Sequence, residues 1–120
     1  MKIGTDIIEI SRIERSLEKY GDRFKKRYLT SSEIARTKKR ESLAGLWAAK
    51  EAIAKALGCG IGKELSFHDI EIEKNSRGAP YFILSDQAQK RHRVEESSLS
   101  ISHDGGFAIA VVAIIQIDIH

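Results

Sequence analysis

Residues 47–62 read WAAKEAIAKALGCGIG, an alanine-rich run that stops at glycines. Its reading as the end of a helix over about 42–57 decides the fold. Leu43, Leu46, Trp47, Ile53 and Leu57 supply an apolar stripe, and Gly58 is a natural C-terminal stop. Three charges interrupt the alanines, although alanine alone would make the helix. Glu51 lies four residues after Trp47 and four before Lys55, so these three share one stripe. An exposed Glu–Lys pair is commonplace and is worth only about a few tenths of a kcal/mol. Ala48, Ala49, Ala52 and Ala54 predict a low-relief surface where a bulky ligand can lie close, with Lys50 and Lys55 beside it. Gly58, Gly60 and Gly62 predict backbone amides that approach a phosphate as a nest. Their spacing matches neither the Walker loop nor the dinucleotide fingerprint, so the glycines carry little alone.

Working outward, Lys2 to Ile10 (KIGTDIIEI) is apolar and β-branched, a strand with Asp6 inside it. Ser11 and Glu14 form a capping-box pattern opening a helix to about Gly21, with Ile13, Leu17 and Tyr20 inward. Thr30 and Glu33 form a second, opening a helical stretch to about Lys39. FHDIEIE (67–73) alternates like a half-buried strand. NSRG (75–78) turns the chain and PYFIL (80–84) returns as its hairpin partner. A short helix is expected over 85–93. LSISH (99–103) and FAIAVVAIIQI (107–117) read as closing strands joined by Asp104-Gly105-Gly106. Early helices and late strands predict an α+β fold, an antiparallel sheet packed against a long helix, in a single domain over 1–120.

Composition sets the function classes. The chain has 120 residues, 42% hydrophobic and 31% charged, as in ordinary soluble domains. Its longest apolar run, FAIAVVAII, is too short to span a bilayer. No basic-then-apolar leader opens the chain, so a cytoplasmic protein is expected, with no membrane partner. The single cysteine, Cys59, excludes an internal disulfide. Burial of FAIAVVAII on both faces predicts self-association, because so short a chain has little to cover a second face. The net charge of +3 hides an uneven distribution: Arg12 to Arg40 hold eleven Lys/Arg against four Asp/Glu. Such a field steers anionic partners.

Asp6 in an apolar strand is costly unless a cation or donors meet it, although a period of two can also place it on a wet face. Two carboxylates without a thiolate or histidine cluster suit Mg²⁺, which takes one or two carboxylates, waters and substrate phosphates. A histidine at a strand end beside a Gly-Gly turn, as His103 is, is more often structural than functional.

Four blocks then acquire a common meaning: GTDIIEISRIE (4–14), FKKRYLTSSE (24–33), LAGLWAAKEAIAKALGCGIG (43–62) and LSISHDGGFAIAVV (99–112). In order and spacing they resemble the holo-[acyl-carrier-protein] synthases, the small 4′-phosphopantetheinyl transferases. The resemblance implies transfer of phosphopantetheine from coenzyme A to a serine of apo acyl carrier protein, releasing 3′,5′-ADP, in support of fatty acid biosynthesis. It implies Mg²⁺ held by Asp6 and Glu51, with Lys55 facing the coenzyme A phosphates. It further implies a homotrimer with active sites between subunits, and Ser102 and His103 near the nucleotide end from a neighbouring chain. Glu51 or a metal-held water is then the candidate base for the serine. Acyl carrier proteins are strongly acidic, so the exposed stripe of Arg12, Arg15 and Lys19 becomes a docking face. Two positions depart from the pattern: Leu46 stands where the family often has arginine, and Cys59 where threonine or serine is common.

Two other classes compete. A nucleic-acid-binding domain would use the same basic segment, but Tyr20, Phe24 and Tyr28 at helical spacing look like core and no recognised nucleic-acid motif is present, so nucleic acid is not expected as a partner. A catalytically silent module binding an acidic protein is disfavoured by Asp6 and Glu51 in their motif settings.

Overall fold

The computed structural model describes residues 1–117. In chain order it contains β1 (Lys2–Glu9), α1 (Ile10–Tyr20), α2 (Asp22–Tyr28), α3 (Ser31–Arg36), α4 (Arg40–Ala56), β2 (Ile70–Lys74), β3 (Pro80–Leu84), α5 (Asp86–His92), β4 (Val94–Asp104) and β5 (Phe107–Gln116). The fold is α+β and antiparallel throughout, as the pattern predicts. The strands form two sheets: three strands in the order β1-β5-β4, and a separate β2-β3 hairpin.

Small residues let α4 lie against the three-stranded sheet. Ala44, Ala48 and Ala52 on α4 and Ala108, Ala110, Val112 and Ile114 on β5 are all fully buried. The tightest approach is at Gly4 on β1. A Cβ there would overlap the Ala52 carbonyl oxygen and stand 2.8 Å from the Ala56 amide nitrogen. Both are backbone atoms of a helix and cannot rotate away. We therefore expect Gly4→Ala to lower the unfolding free energy read by urea denaturation by about 1–3 kcal/mol or more, the range for overpacking, and to displace Asp6, two residues along the same strand.

Several local expectations change. The helix α1 begins at Ile10, with no side-chain cap, so the Ser11–Glu14 capping box does not form. The reason is tertiary: β1 runs straight into the helix and the Ile10 amide is held by the Gly106 carbonyl at 2.9 Å. Tyr20 is 51% exposed rather than inward, because α1 ends there; the Lys19 ammonium lies 5.3 Å over its ring. The second capping box is present, with Glu33 N donating to Thr30 Oγ1 and Thr30 N to Glu33 Oε1. Its helix stops at Arg36, three residues early. Phe67–Asp69 is a 3₁₀ turn leading into β2. Strand β4 starts at Val94, five residues before the expected strand.

The stretch Phe107–Ile115 is covered on one face only. Its even-numbered residues meet α4, while Ile109 and Val111 are 41% and 43% exposed on the other face. Ile3 and Ile7 of β1 extend that apolar face, with Ile7 paired to Ile109. None of the described helices is long and apolar enough to cross a membrane.

Candidate active site

Period-two alternation puts Gly4, Asp6 and Ile8 on the face of β1 that meets α4. Asp6 is thus carried to the edge of the helix, where its side chain is only 14% exposed. Lys55 Nζ donates to Asp6 Oδ1 at 2.8 Å and to the Thr5 carbonyl at 3.2 Å. Glu51, one turn before Lys55, completes the group. Partial burial holds its carboxyl above the usual glutamate range, and the neighbouring charge of Asp6 raises it further, while Lys55 opposes both. The hydrogen bond to Asp6 is the main reason that the Lys55 ammonium is held above the ordinary lysine value. Two mutually repelling, partly buried carboxylates beside one exposed lysine make a donor set of the kind Mg²⁺ takes. Sequence reading named all three, and the fold brings Asp6 to Glu51 and Lys55 from 45 and 49 residues away in the chain.

Lys50 does something else. Residues five apart on a helix point about 140° from each other, so Lys50 and Lys55 cannot face one ligand. Lys50 is fully buried. Its ammonium donates to Glu33 Oε1 at 2.7 Å, to the Tyr28 carbonyl at 2.8 Å and to the Phe67 carbonyl at 3.1 Å. All three donors are satisfied. Burial pulls the ammonium below the usual lysine value, and the Glu33 contact opposes that. Glu33 in turn accepts from the Ile72 amide at 2.7 Å, tying α3 to β2. Lys50 is therefore a structural cation and not a phosphate ligand. Glu33, read in the sequence only as a cap, is its buried partner.

The glycines and alanines are also put to other uses. Ala48, Ala49, Ala52 and Ala54 are buried core, not an open surface. Gly58 (φ +82°) and Gly60 (φ +66°) reverse the chain at the end of α4. The Gly58 amide donates to the Lys55 carbonyl at 3.0 Å, and the Gly60 amide to the Ala54 carbonyl at 3.2 Å. Those amides cap a helix C-terminus, the negative end of its dipole, so neither is available to a phosphate.

Ser102 and His103 sit on β4, separated from β1 by β5, and alternation turns them to opposite faces. Ser102 lies level with Ile109 on the uncovered face. His103 lies on the α4 side and lines a groove of about 690 Å³ with Arg36, Lys38, Lys39, Leu46 and Pro80. The sequence reading missed these three cations; their only signal was membership of the basic segment. Leu46, where an arginine would stand, lines the same groove; Glu41 and Glu73 line it too, and Glu73 pairs with Arg36 at 3.6 Å. Arg12, Arg15 and Lys19 are exposed on α1, away from buried Ile13 and Leu17, as the periodicity predicts.

Residues 2–112, and with them the carboxylate pair and the groove, match the 4′-phosphopantetheinyl transferase superfamily. The chain belongs to that family. Within it, the chain is 68% identical over 114 residues to the holo-[acyl-carrier-protein] synthase of Sulfurovum sp., covering 95% of this chain and 96% of that protein. It is 52% identical to the Nitratiruptor sp. enzyme of the same name, over 95% of this chain and 98% of that one. Among solved structures, the Helicobacter pylori holo-[acyl-carrier-protein] synthase in complex with coenzyme A superposes with a TM-score of 0.90 at 47% identity, covering 94% of this chain and 99% of that one. The Bacillus anthracis synthase, in complex with coenzyme A (3′,5′-ADP), gives 0.80 at 44% identity, covering 96% of each chain.

Proposed function

We infer that this chain is a holo-[acyl-carrier-protein] synthase: it transfers 4′-phosphopantetheine from coenzyme A to a serine of apo acyl carrier protein and releases 3′,5′-ADP. The observation that carries this is the meeting of Asp6, Glu51 and Lys55 at the contact between β1 and α4. Asp6 and Glu51 hold a magnesium ion, and Lys55 faces the pyrophosphate. A magnesium ion held by these two carboxylates would supply Lewis acidity and charge neutralisation to the pyrophosphate. The serine hydroxyl attacks in line, the pyrophosphate bond breaks, and the hydroxyl proton must leave. Glu51 itself, or a water held by the metal, would accept it. Incubation with coenzyme A, Mg²⁺ and apo carrier protein should raise the carrier's intact mass by one phosphopantetheine arm. An unchanged mass with a verified apo carrier overturns the reading.

The groove takes the nucleotide end of coenzyme A. Arg36, Lys38 and Lys39 supply charge there beside His103. The N-terminus of α4, which has no side-chain cap, adds free amides and the positive end of a helix dipole. Along α4 this region lies about 16 Å from Glu51, across β5 from Asp6. A second copy seated on the uncovered face of β1 and β5 would cover its exposed Ile3, Ile7, Ile109 and Val111. The exposed apolar face of Ile3, Ile7, Ile109 and Val111 supports such a homotrimer with shared sites. Sedimentation at micromolar concentration should give three chains per particle; a monomer would contradict it.

Acidic carrier protein docks on Arg12, Arg15 and Lys19. Charge reversal at Arg12 or Arg15 is expected to raise the KM for carrier protein several-fold more than the KM for coenzyme A, and activity should fall as salt rises. Equal effects on both substrates would argue against this face. Nucleic-acid binding is the weaker reading: Phe24 and Tyr28 are packed with Trp47 in an aromatic cluster, not laid open for bases. Fatty acid synthesis in the cytoplasm is the setting that this reaction implies.

A further inference from the structure

A second cluster of metal-ligating side chains lies away from the carboxylate pair. Cys59 and Glu64 belong to the loop after α4, and His92 is the last residue of α5. The Cys59 Sγ, a Glu64 carboxylate oxygen and an imidazole nitrogen of His92 all lie within 4.8 Å of one another. An independent observation concerns the histidine. His92 is only 7% exposed, and its Nε2 is buried with no hydrogen-bond partner among the described residues. A buried polar nitrogen left unpaired is unfavourable and asks for a partner. The Cys59 thiol is also weakly engaged, its one hydrogen bond among the described residues being a long one of 3.9 Å to the Ala54 carbonyl. Backbone contacts meanwhile hold the two segments in place: Arg91 Nη1 donates to the Glu64 carbonyl at 3.2 Å, and Gln116 Nε2 to the His92 carbonyl at 2.7 Å.

We propose that Cys59, Glu64 and His92 form a Zn²⁺ site, separate from the Asp6–Glu51 pair. One thiolate, one imidazole and one carboxylate are the donors zinc takes, in a tetrahedron whose fourth position is left to water. The sulfur selects against magnesium, which requires oxygen ligands. Metal–ligand bonds of about 2.0–2.3 Å place ligand atoms roughly 3.3–3.8 Å apart. Glu64 is exposed and free to rotate into that spacing. The Cys59 thiol gives its proton to solvent as the sulfur–metal bond forms. Zinc then joins the loop that caps α4 to the end of α5.

The full chain carries one cysteine, so a thiolate-to-metal absorption band reports this site alone. Titration with Co²⁺ under excess Mg²⁺, which fills the Asp6–Glu51 pair, should produce a thiolate–cobalt band that saturates at one ion per chain and is displaced by Zn²⁺. Loss of a group that merely supports a ligand weakens metal binding about 10- to 100-fold. Glu64→Gln, at an exposed position, should therefore weaken cobalt binding at least tenfold, while Glu51→Gln leaves the band and its affinity unchanged. Under the same excess Mg²⁺, Zn²⁺ should raise the thermal midpoint of the unaltered chain and not of Glu64→Gln. Absence of the band at saturating cobalt, or equal affinity in Glu64→Gln, overturns the site.

Discussion

Turnover falls by orders of magnitude, with the fold retained, when Asp6 or Glu51 is replaced by alanine. Each supplies one carboxylate to a site with a single cation nearby, Lys55, already hydrogen-bonded to Asp6 at 2.8 Å. On the proposed assignment, removing either carboxylate would leave the metal with half its protein ligands, and Glu51→Ala would also remove one proposed proton acceptor. A readout besides activity separates the roles. The folded-state pKa of Glu51 is raised, chiefly by burial. Stability from its protonated form is therefore present at acid pH and is lost as pH rises from the ordinary glutamate range through the raised value. At neutral pH the ionised group is a liability without metal. Metal-free Glu51→Gln should accordingly melt above the unaltered protein. Adding Mg²⁺ should raise the midpoint of the unaltered protein and leave that of the variant in place. A magnesium response of equal size in the variant would remove Glu51 from the metal site, and near-normal turnover in either alanine variant would remove the pair.

The second large effect falls on folding. Lys50→Met strips the cation from Glu33, which is fully buried and keeps only backbone amides as partners. An uncompensated buried charge costs about 3–5 kcal/mol, a large part of the stability of a small domain. Urea denaturation should show that loss. Adding Glu33→Gln to the same chain should recover part of it, because the charge goes while an acceptor oxygen remains. The position discriminates between two uses of one lysine. If Lys50 were a phosphate ligand, Lys50→Met would raise the KM for coenzyme A and leave the urea midpoint alone. Its three buried hydrogen bonds favour the loss of stability.

Part of this molecule was legible in one dimension. The α4 run, the Thr30–Glu33 capping box, the β2-β3 hairpin and the exposed Arg12–Arg15–Lys19 stripe all depend on residues close in the chain. Asp6 and Glu51 were legible through motif context, and Lys55 through its i+4 spacing from Glu51. Lys50 was misread because it sits beside Glu51 in the sequence, although helix geometry already turns it well away from Lys55. Gly58 and Gly60 were misread because a glycine loop looks alike whether its amides cap a helix or cradle a phosphate; the deciding fact is that it follows a C-terminus.

By itself, the sequence determined β1, α4, the β2-β3 hairpin and β5, though not α2, along with which two carboxylates meet and the basic stripe on α1. Tertiary structure decided the rest. Helix α4 packs against β1, β5, α1 and β2, so its alanines are core and its first lysine is a buried partner of Glu33. Period and capping are set by neighbours a few residues away. Burial is set by whatever the chain returns from far off to lay against a surface, and alanine, equally at home inside and outside, carries no mark of which it will be.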